Sequence, residues 1–475
     1  MDLNTNENES KKEELTEQST KINNTKSEIP LPGEVVPGVP REYFYDDNFD
    51  ETPYRSNKTC LQRYFGKIQS GSLRGSIISM ASIVFGIAGL AYPVGFANIG
   101  LIPGIILFAI ISLFNYLSLY ALIFTARKEK INHYGMLIQK VLGNTMAMIS
   151  DINNIIFCIG VAMSYEFTIQ SFFQETCLKF FPDLTLTQLL VIKRIQMTIS
   201  GLFIMLPLCL LRNISTLQYA SMVGSLALIY SCFLIVGQSY FYYEHETNDN
   251  GKTIPLFKPL SLKIFHSFSV FLFGYAQHNG VLPIFDELAR PSRRRTKAVL
   301  DRAFLLEVVL FFAIGLGGFF SLQDPTPSIF LNRKDLEYKS MNKDYFVIIA
   351  QSLFFVTLHC TVAINNNILR NAFKSLIFKG KEITKKADFI IVFVLLLVTN
   401  VVTYFIADVL DIISIVGSIC SVIVCLVSPI MCWVYSNGKP LTSPTNIAVI
   451  TILCIFVAIG ICCVGYSIYE QITRE

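Results

Sequence analysis

Two short stretches hold residue types that can do chemistry inside a membrane. In one, Tyr275, Gln277, His278 and Asn279 interrupt an otherwise apolar run, with Gly274 and Gly280 on either side and Pro283 beyond. In the other, "FGIAGLAYP" at 85–93, Gly86 and Gly89 stand three residues apart, followed by Pro93. Glycine and proline weaken helices. Hydrocarbon offers no water to a broken backbone, so such a break survives only where protein or a ligand satisfies the freed groups. Unwinding leaves N–H groups at the head of one half-helix and carbonyls at the tail of the other. The first end suits a carboxylate, the second an ammonium or a small cation. A zwitterionic amino acid presents both charges on one carbon. Glycine also serves close helix packing, and a single glycine pair reads that way. Two matched interruptions, one of them polar, favour a binding site.

The elements that carry these residues are membrane spans. The chain has 475 residues, 52% hydrophobic and 16% charged, with mean hydropathy +0.50. A soluble domain carries about 25% charge. Apolar runs long enough to cross about 30 Å of hydrocarbon recur throughout, and no charged n-region with a short apolar core opens the sequence. Eleven spans are expected, near 75–98, 101–126, 147–172, 194–211, 215–242, 263–288, 303–322, 345–370, 388–407, 410–435 and 446–468. The fourth is short and starts beside Lys193 and Arg194; only "ADVLD" separates the ninth from the tenth. Residues 1–70 are rich in Asn, Glu and Lys at their start and are expected to be a disordered tail, with a short surface helix at 60–68. Most of the twelve cysteines lie in apolar runs, where they act as small core residues, and no spacing suggests a metal site or a disulfide framework.

Basic residues set the orientation. Arg127, Lys128, Lys130 and Lys140 fill one loop, Arg290, Arg293, Arg294, Arg295 and Lys297 a second, and Lys374, Lys379, Lys381, Lys385 and Lys386 a third. By the positive-inside rule these loops and the N-terminus are cytosolic and the C-terminus lies outside or in a lumen. Sequons at Asn23, Asn57 and Asn213 then face the cytosol and stay unmodified. The net charge of +4 comes from these loops and gives no footprint for nucleic acid. The two interrupted spans, the first and the sixth, are five apart. An odd count inserts the second set upside down, which describes an inverted five-plus-five repeat over 71–242 and 263–435 with an eleventh helix at 446–468.

At this point the residues resemble a family, the amino acid/auxin permeases, and within it the neutral amino acid transporter branch. "FGIAGLAYPVGFANIG" is similar to that branch's first span, "IGVAMSY" to its third, "HNGVLPIFDEL" to its sixth, and "DIISIVGS" with Ser428-Pro429 to its tenth. The resemblance covers the spans and not the tail. It implies an all-α polytopic membrane protein of leucine-transporter-like fold that moves amino acids by alternating access as a symporter, without a cofactor and as a monomer. It implies that the backbone of Gly86, Ile87, Ala88 and Gly89 takes the substrate carboxylate. Tyr275, Gln277, His278 and Asn279 line the other side. The host membrane is the plasma membrane or an endosomal, lysosomal or vacuolar one. Sodium-coupled members carry Asn where Ser82 stands, and their eighth-span ligand falls near His359 to Thr361. The coupling ion is therefore sodium, held by Ser82 and Thr361, or a proton.

Charges at membrane depth usually face a cavity or a partner. Glu166, in the third span, is a proton acceptor or lines a wet vestibule. His359 is a proton site or a neutral ring satisfied by a helix carbonyl. Glu307 is expected near the cytosolic start of the seventh span, snorkelling to the surface. Asp286 and Glu287 are expected to pair with the basic loop, and Asp151 to do the same at the base of the third span. A membrane sensor signalling through the N-terminal tail is the alternative to a transporter, and flux separates the two. An embedded enzyme would want a nucleophile with a base, for which neither His278 nor His359 has the context.

Overall fold

The computed structural model describes residues 72–210, 214–248, 251–259, 261–288, 292–322, 325–334, 344–378, 384–405 and 408–474. The expected tail, the helix at 60–68 and all three sequons lie outside them. Among the described residues all regular structure is helical. Nine helices among the described residues are long and apolar enough to cross a membrane, and one bent pair makes a tenth.

The bent pair is the first expected span. Helix α1 (Leu73–Val84) is capped by Ser72, whose hydroxyl accepts from the Gly75 N–H at 3.1 Å. It meets α2 (Ala88–Ile99) at 56° across the break. Next come α3 (Leu101–Glu129), a short helix α4 (Tyr134–Leu142) where the sequence reading had a loop, and α5 (Asn144–Phe180). Helix α4 buries Tyr134, Leu137 and Ile138, three or four residues apart, and so presents one apolar face.

The fourth span begins earlier than expected. Thr185 and Gln188 form a capping box that opens α6 (Leu186–Ile199), which runs through a π-helical turn at Ser200–Met205 into α7 (Leu206–Leu210). Lys193 and Arg194 therefore lie within the helix and not at its start. Lys193 lies over the ring of Phe167, 5.8 Å from its centroid, and Arg194 over that of Tyr404 at 5.3 Å.

Helix α8 (Ile214–Asn248) follows. The sixth expected span is split into α9 (Lys263–Gly274) and α10 (His278–Asp286). The seventh, α11 (Arg293–Phe320), also starts upstream, because Ser292 caps it by accepting from the Arg295 N–H. Helices α12 (Tyr345–Phe378) and α13 (Lys385–Phe405) complete the eighth and ninth. Asp408 caps α14 (Val409–Ile415), which continues through π-helical turns into α15 (Ser428–Ser436). Helix α16 (Pro444–Arg474) is the last.

The two broken spans pair half with half. Helices α2 and α9 share an aromatic seam: Tyr92 stacks on Phe271 with centroids 5.1 Å apart and donates to its carbonyl at 3.0 Å. Ser267 donates to the Gly95 carbonyl at 2.8 Å. On the other side of the breaks, α1 meets α10, where Ile83 lies against Gly280. Gly417, in the tenth span, brings backbone against backbone, since a Cβ there would sit 2.6 Å from the Ser269 carbonyl oxygen of α9.

Candidate functional site

The first break is a tight turn that bends the span without reversing it. The Gly86 N–H returns to the Val84 carbonyl at 2.7 Å, and the Leu90 N–H bonds the Ile87 carbonyl at 2.9 Å. Gly86, Ile87, Ala88 and Gly89 are all buried. The amides that open α2 sit beyond the reach of its own ladder, as in any helix, and so form a donor cluster for an anion. Both glycines are needed for packing as well. A Cβ on Gly86 would sit 2.9 Å from the Tyr165 hydroxyl, and one on Gly89 2.9 Å from the Phe311 ring.

The second break spans 275–277. Tyr275 stacks on Phe304 at 5.3 Å, and its hydroxyl lies 2.9 Å from that of Ser112. Gln277 donates from Nε2 to Glu307 Oε2 at 2.8 Å. Asn279 donates to Asn154 Oδ1 at 2.8 Å. Nearby, Asn365 donates to the Cys158 carbonyl at 2.7 Å. His278 is fully buried at the head of α10, and neither ring nitrogen has a partner among the described residues. The breaks lie side by side, bridged by Phe311 of α11. Its ring is 6.3 Å from Phe85 and 5.5 Å from Tyr275.

The structure thus brings the eight expected substrate residues into one region, while each expected ion residue has a hydrogen bond of its own. Ser82 donates to the Ser79 carbonyl at 2.9 Å and Thr361 to the Thr357 carbonyl at 3.0 Å, each within its own helix. His359 lies between the Phe355 carbonyl, 2.6 Å from Nδ1, and the Ser200 hydroxyl, 2.7 Å from Nε2. Glu166 does not reach the surface of this structure. It is buried between α5 and α13, where Oε1 accepts from Thr399 at 2.8 Å and from Asn400 at 3.4 Å, and Oε2 from Thr403 at 3.4 Å.

Glu307 is the clearest departure from the sequence reading. It does not snorkel: it is fully buried, midway along α11, because that helix begins at Arg293 and not near 303. The signal was present, in a Ser just after a Pro and just before a helical pattern. Asp286 accepts from Asn132 at 2.6 Å, and Asp151 packs where a Cβ on Gly135 would be 3.0 Å from its carboxylate.

A family model described as "Transmembrane amino acid transporter protein" matches residues 69–473. Vacuolar amino acid transporter 6 of Saccharomyces cerevisiae is 24% identical over 259 residues, which cover 53% of this chain and 56% of that one. Vacuolar amino acid transporter 7 of the same yeast is 25% identical over 268 residues, covering 54% and 51%. The chain spans between about a third and just over half the length of the curated relatives it matches. Among solved structures it is similar to a Na+-coupled sialic acid symporter in a substrate-bound outward-open state, at 15% identity and a TM-score of 0.47, over 89% of this chain and 92% of that one.

Proposed function

The chain belongs to the transmembrane amino acid transporter family, the amino acid/auxin permeases, and from that premise we propose that it is a secondary active transporter of neutral amino acids. The observation that carries this reading is the pair of buried helix breaks lying side by side, bridged by Phe311. The α2 amides at Ile87, Ala88 and Gly89 receive the substrate carboxylate. Gln277, His278 and Asn279 supply the polar wall opposite. Phe311 and Tyr275 give an apolar surface for a side chain without charge.

Eleven spans in an inverted five-plus-five arrangement follow from the same reading. Two features support it: a break in the first and in the sixth expected span, and the pairing of α1 with α10 and of α2 with α9. Basic loops support a cytosolic N-terminus, and the vacuolar relatives support an acidic organelle as host. Such a membrane supplies a proton gradient, and protons are the coupling ion we favour over sodium.

A panel of amino acids taken up by vesicles containing the full chain, with sodium and pH varied independently, tests this. Saturable uptake of neutral amino acids, driven by an acid compartment and indifferent to choline in place of sodium, is the expected result. Binding without flux would mean a sensor instead. A second expectation concerns the N-terminal segment. The family match starts at residue 69, so deleting residues 1–50 should leave the rate of uptake per molecule unchanged. Loss of uptake by a truncated chain still in the membrane would make that segment part of the transport machinery.

A further inference from the structure

We propose that Glu307 is the residue at which amino acid movement is coupled to a proton, with Gln277 passing its state to the sixth-span break; this rests on the transport reading above. Glu307 and Gln277 are both fully buried. Gln277 is the last residue of the unwound stretch and immediately precedes α10. Its Nε2 donates to Glu307 Oε2 at 2.8 Å, which leaves Glu307 Oε1 and Gln277 Oε1 without a partner among the described residues. Buried polar atoms are almost always paired, and a carboxylate charge this deep is costly without a cation beside it. A carboxyl held by one oxygen, with the other unengaged, is a place for a proton that comes and goes.

The groups around it are few. From α2, Tyr92, and from the break itself, Tyr275, stand beside α11, each packed on Phe311. From α3, Ser112 meets the Tyr275 hydroxyl, and Tyr116 donates to Asp301, nearer the start of α11. Helix α1 carries one charged residue, Arg74, at its start. Helix α8 meets α11 at Gly317 through Ile235 and Val236. Among the described residues no Lys or Arg forms an ion pair with Glu307, whose one side-chain hydrogen-bond partner is Gln277.

Neither Glu166 nor His359, the other two candidate proton sites, hydrogen-bonds a break residue. Glu166 is clasped by Thr399, Asn400 and Thr403, and His359 by Phe355 and Ser200. The step itself is simple. A proton from water on one side adds to Oε1 and gives a neutral carboxyl, with Oε2 still accepting from Gln277. Its loss to the other side leaves a carboxylate, and a charge-assisted hydrogen bond to Gln277 is stronger. The pull on the Gln277 backbone, and so on the head of α10, changes with the proton.

The experiment uses the full chain in proteoliposomes without sodium, with the neutral amino acid that the wild type takes up fastest. One proton per substrate allows about tenfold accumulation per pH unit imposed across the membrane. The wild type, Glu166→Gln and Glu307→Asp should all respond to that gradient. Glu307→Gln should lose the response, with accumulation falling to the level set without a gradient, while still exchanging labelled for unlabelled substrate at equal pH, at a reduced rate. Should Glu307→Gln fail to exchange, Glu307→Asp decides: gradient-driven accumulation supports the assignment and its loss overturns it. Gradient-driven accumulation by Glu307→Gln, its loss in Glu166→Gln alone, or a wild type driven by sodium would also overturn it. A wild type that neither exchanges nor accumulates any amino acid rejects the transport reading itself.

Discussion

Gly86→Leu is expected to abolish saturable uptake by a chain that still reaches the membrane. The reason is local. A Cβ at Gly86 would already lie 2.9 Å from the Tyr165 hydroxyl, and three further carbons would extend into the space between α1 and α5. Overpacking of this kind costs about 1–3 kcal/mol, and here the strain falls on the backbone that presents the α2 amides. Gly86→Ala should be milder, since the tip of a tyrosine can swing aside, and Tyr165→Phe should recover part of what alanine removes. Gly89→Leu should also abolish uptake, by a different route, because its side chain would run into Phe311, the residue that bridges the two breaks. Uptake per surface molecule measures all four variants. Normal saturable uptake by both leucine variants would remove the first break from the site.

His278→Leu should separate binding from stability. Both ring nitrogens of His278 are buried with no partner in the protein among the described residues, so replacing the ring with an apolar side chain of similar bulk breaks no hydrogen bond of the fold. The melting temperature should hold or rise. If the ring bonds substrate, the lost contact is worth about 1–3 kcal/mol, or a rise in apparent KM of roughly 5- to 150-fold. A variant with unchanged KM and a lower melting temperature would make His278 a packing residue. Gln277→Ala contrasts with it, because it strips Glu307 of its one hydrogen-bond donor and should damage stability and uptake together.

Much of this architecture was legible in the residues because lipid imposes simple rules. Run length matches the nine long helices and the bent first span among the described residues, and Gly86, Gly89, Gly274 and Gly280 with their polar neighbours mark the two breaks. What could not be read was tertiary. Nothing near Glu307 in the sequence points to Gln277, thirty residues away, and the pairing depends on α11 starting in the arginine run after Ser292. Glu166 looked like a lone charge. Its partners Thr399 and Thr403 are one helical turn apart on another helix, a polar stripe visible in "VTNVVTYF" only once a carboxylate needs it. The π-helical turns at Ser200–Met205 and through 416–427 have no periodic signature, yet the first holds Ser200 against His359 and the second brings Gly417 against α9.

The half-with-half pairing has a mechanical consequence. Two rods cut at the same depth and clipped together above and below the cut no longer bend independently. They share a waist, formed by 85–87 and 275–277, with one clipped pair, a plank of two half-helices, on each side of it. The planks are unequal. The pair α2–α9 is fastened to the tenth span at Gly417 and glued by stacked rings, whereas α1–α10 meets at small contacts such as Ile83 on Gly280. The α1–α10 side carries His278 and Asn279 at the waist.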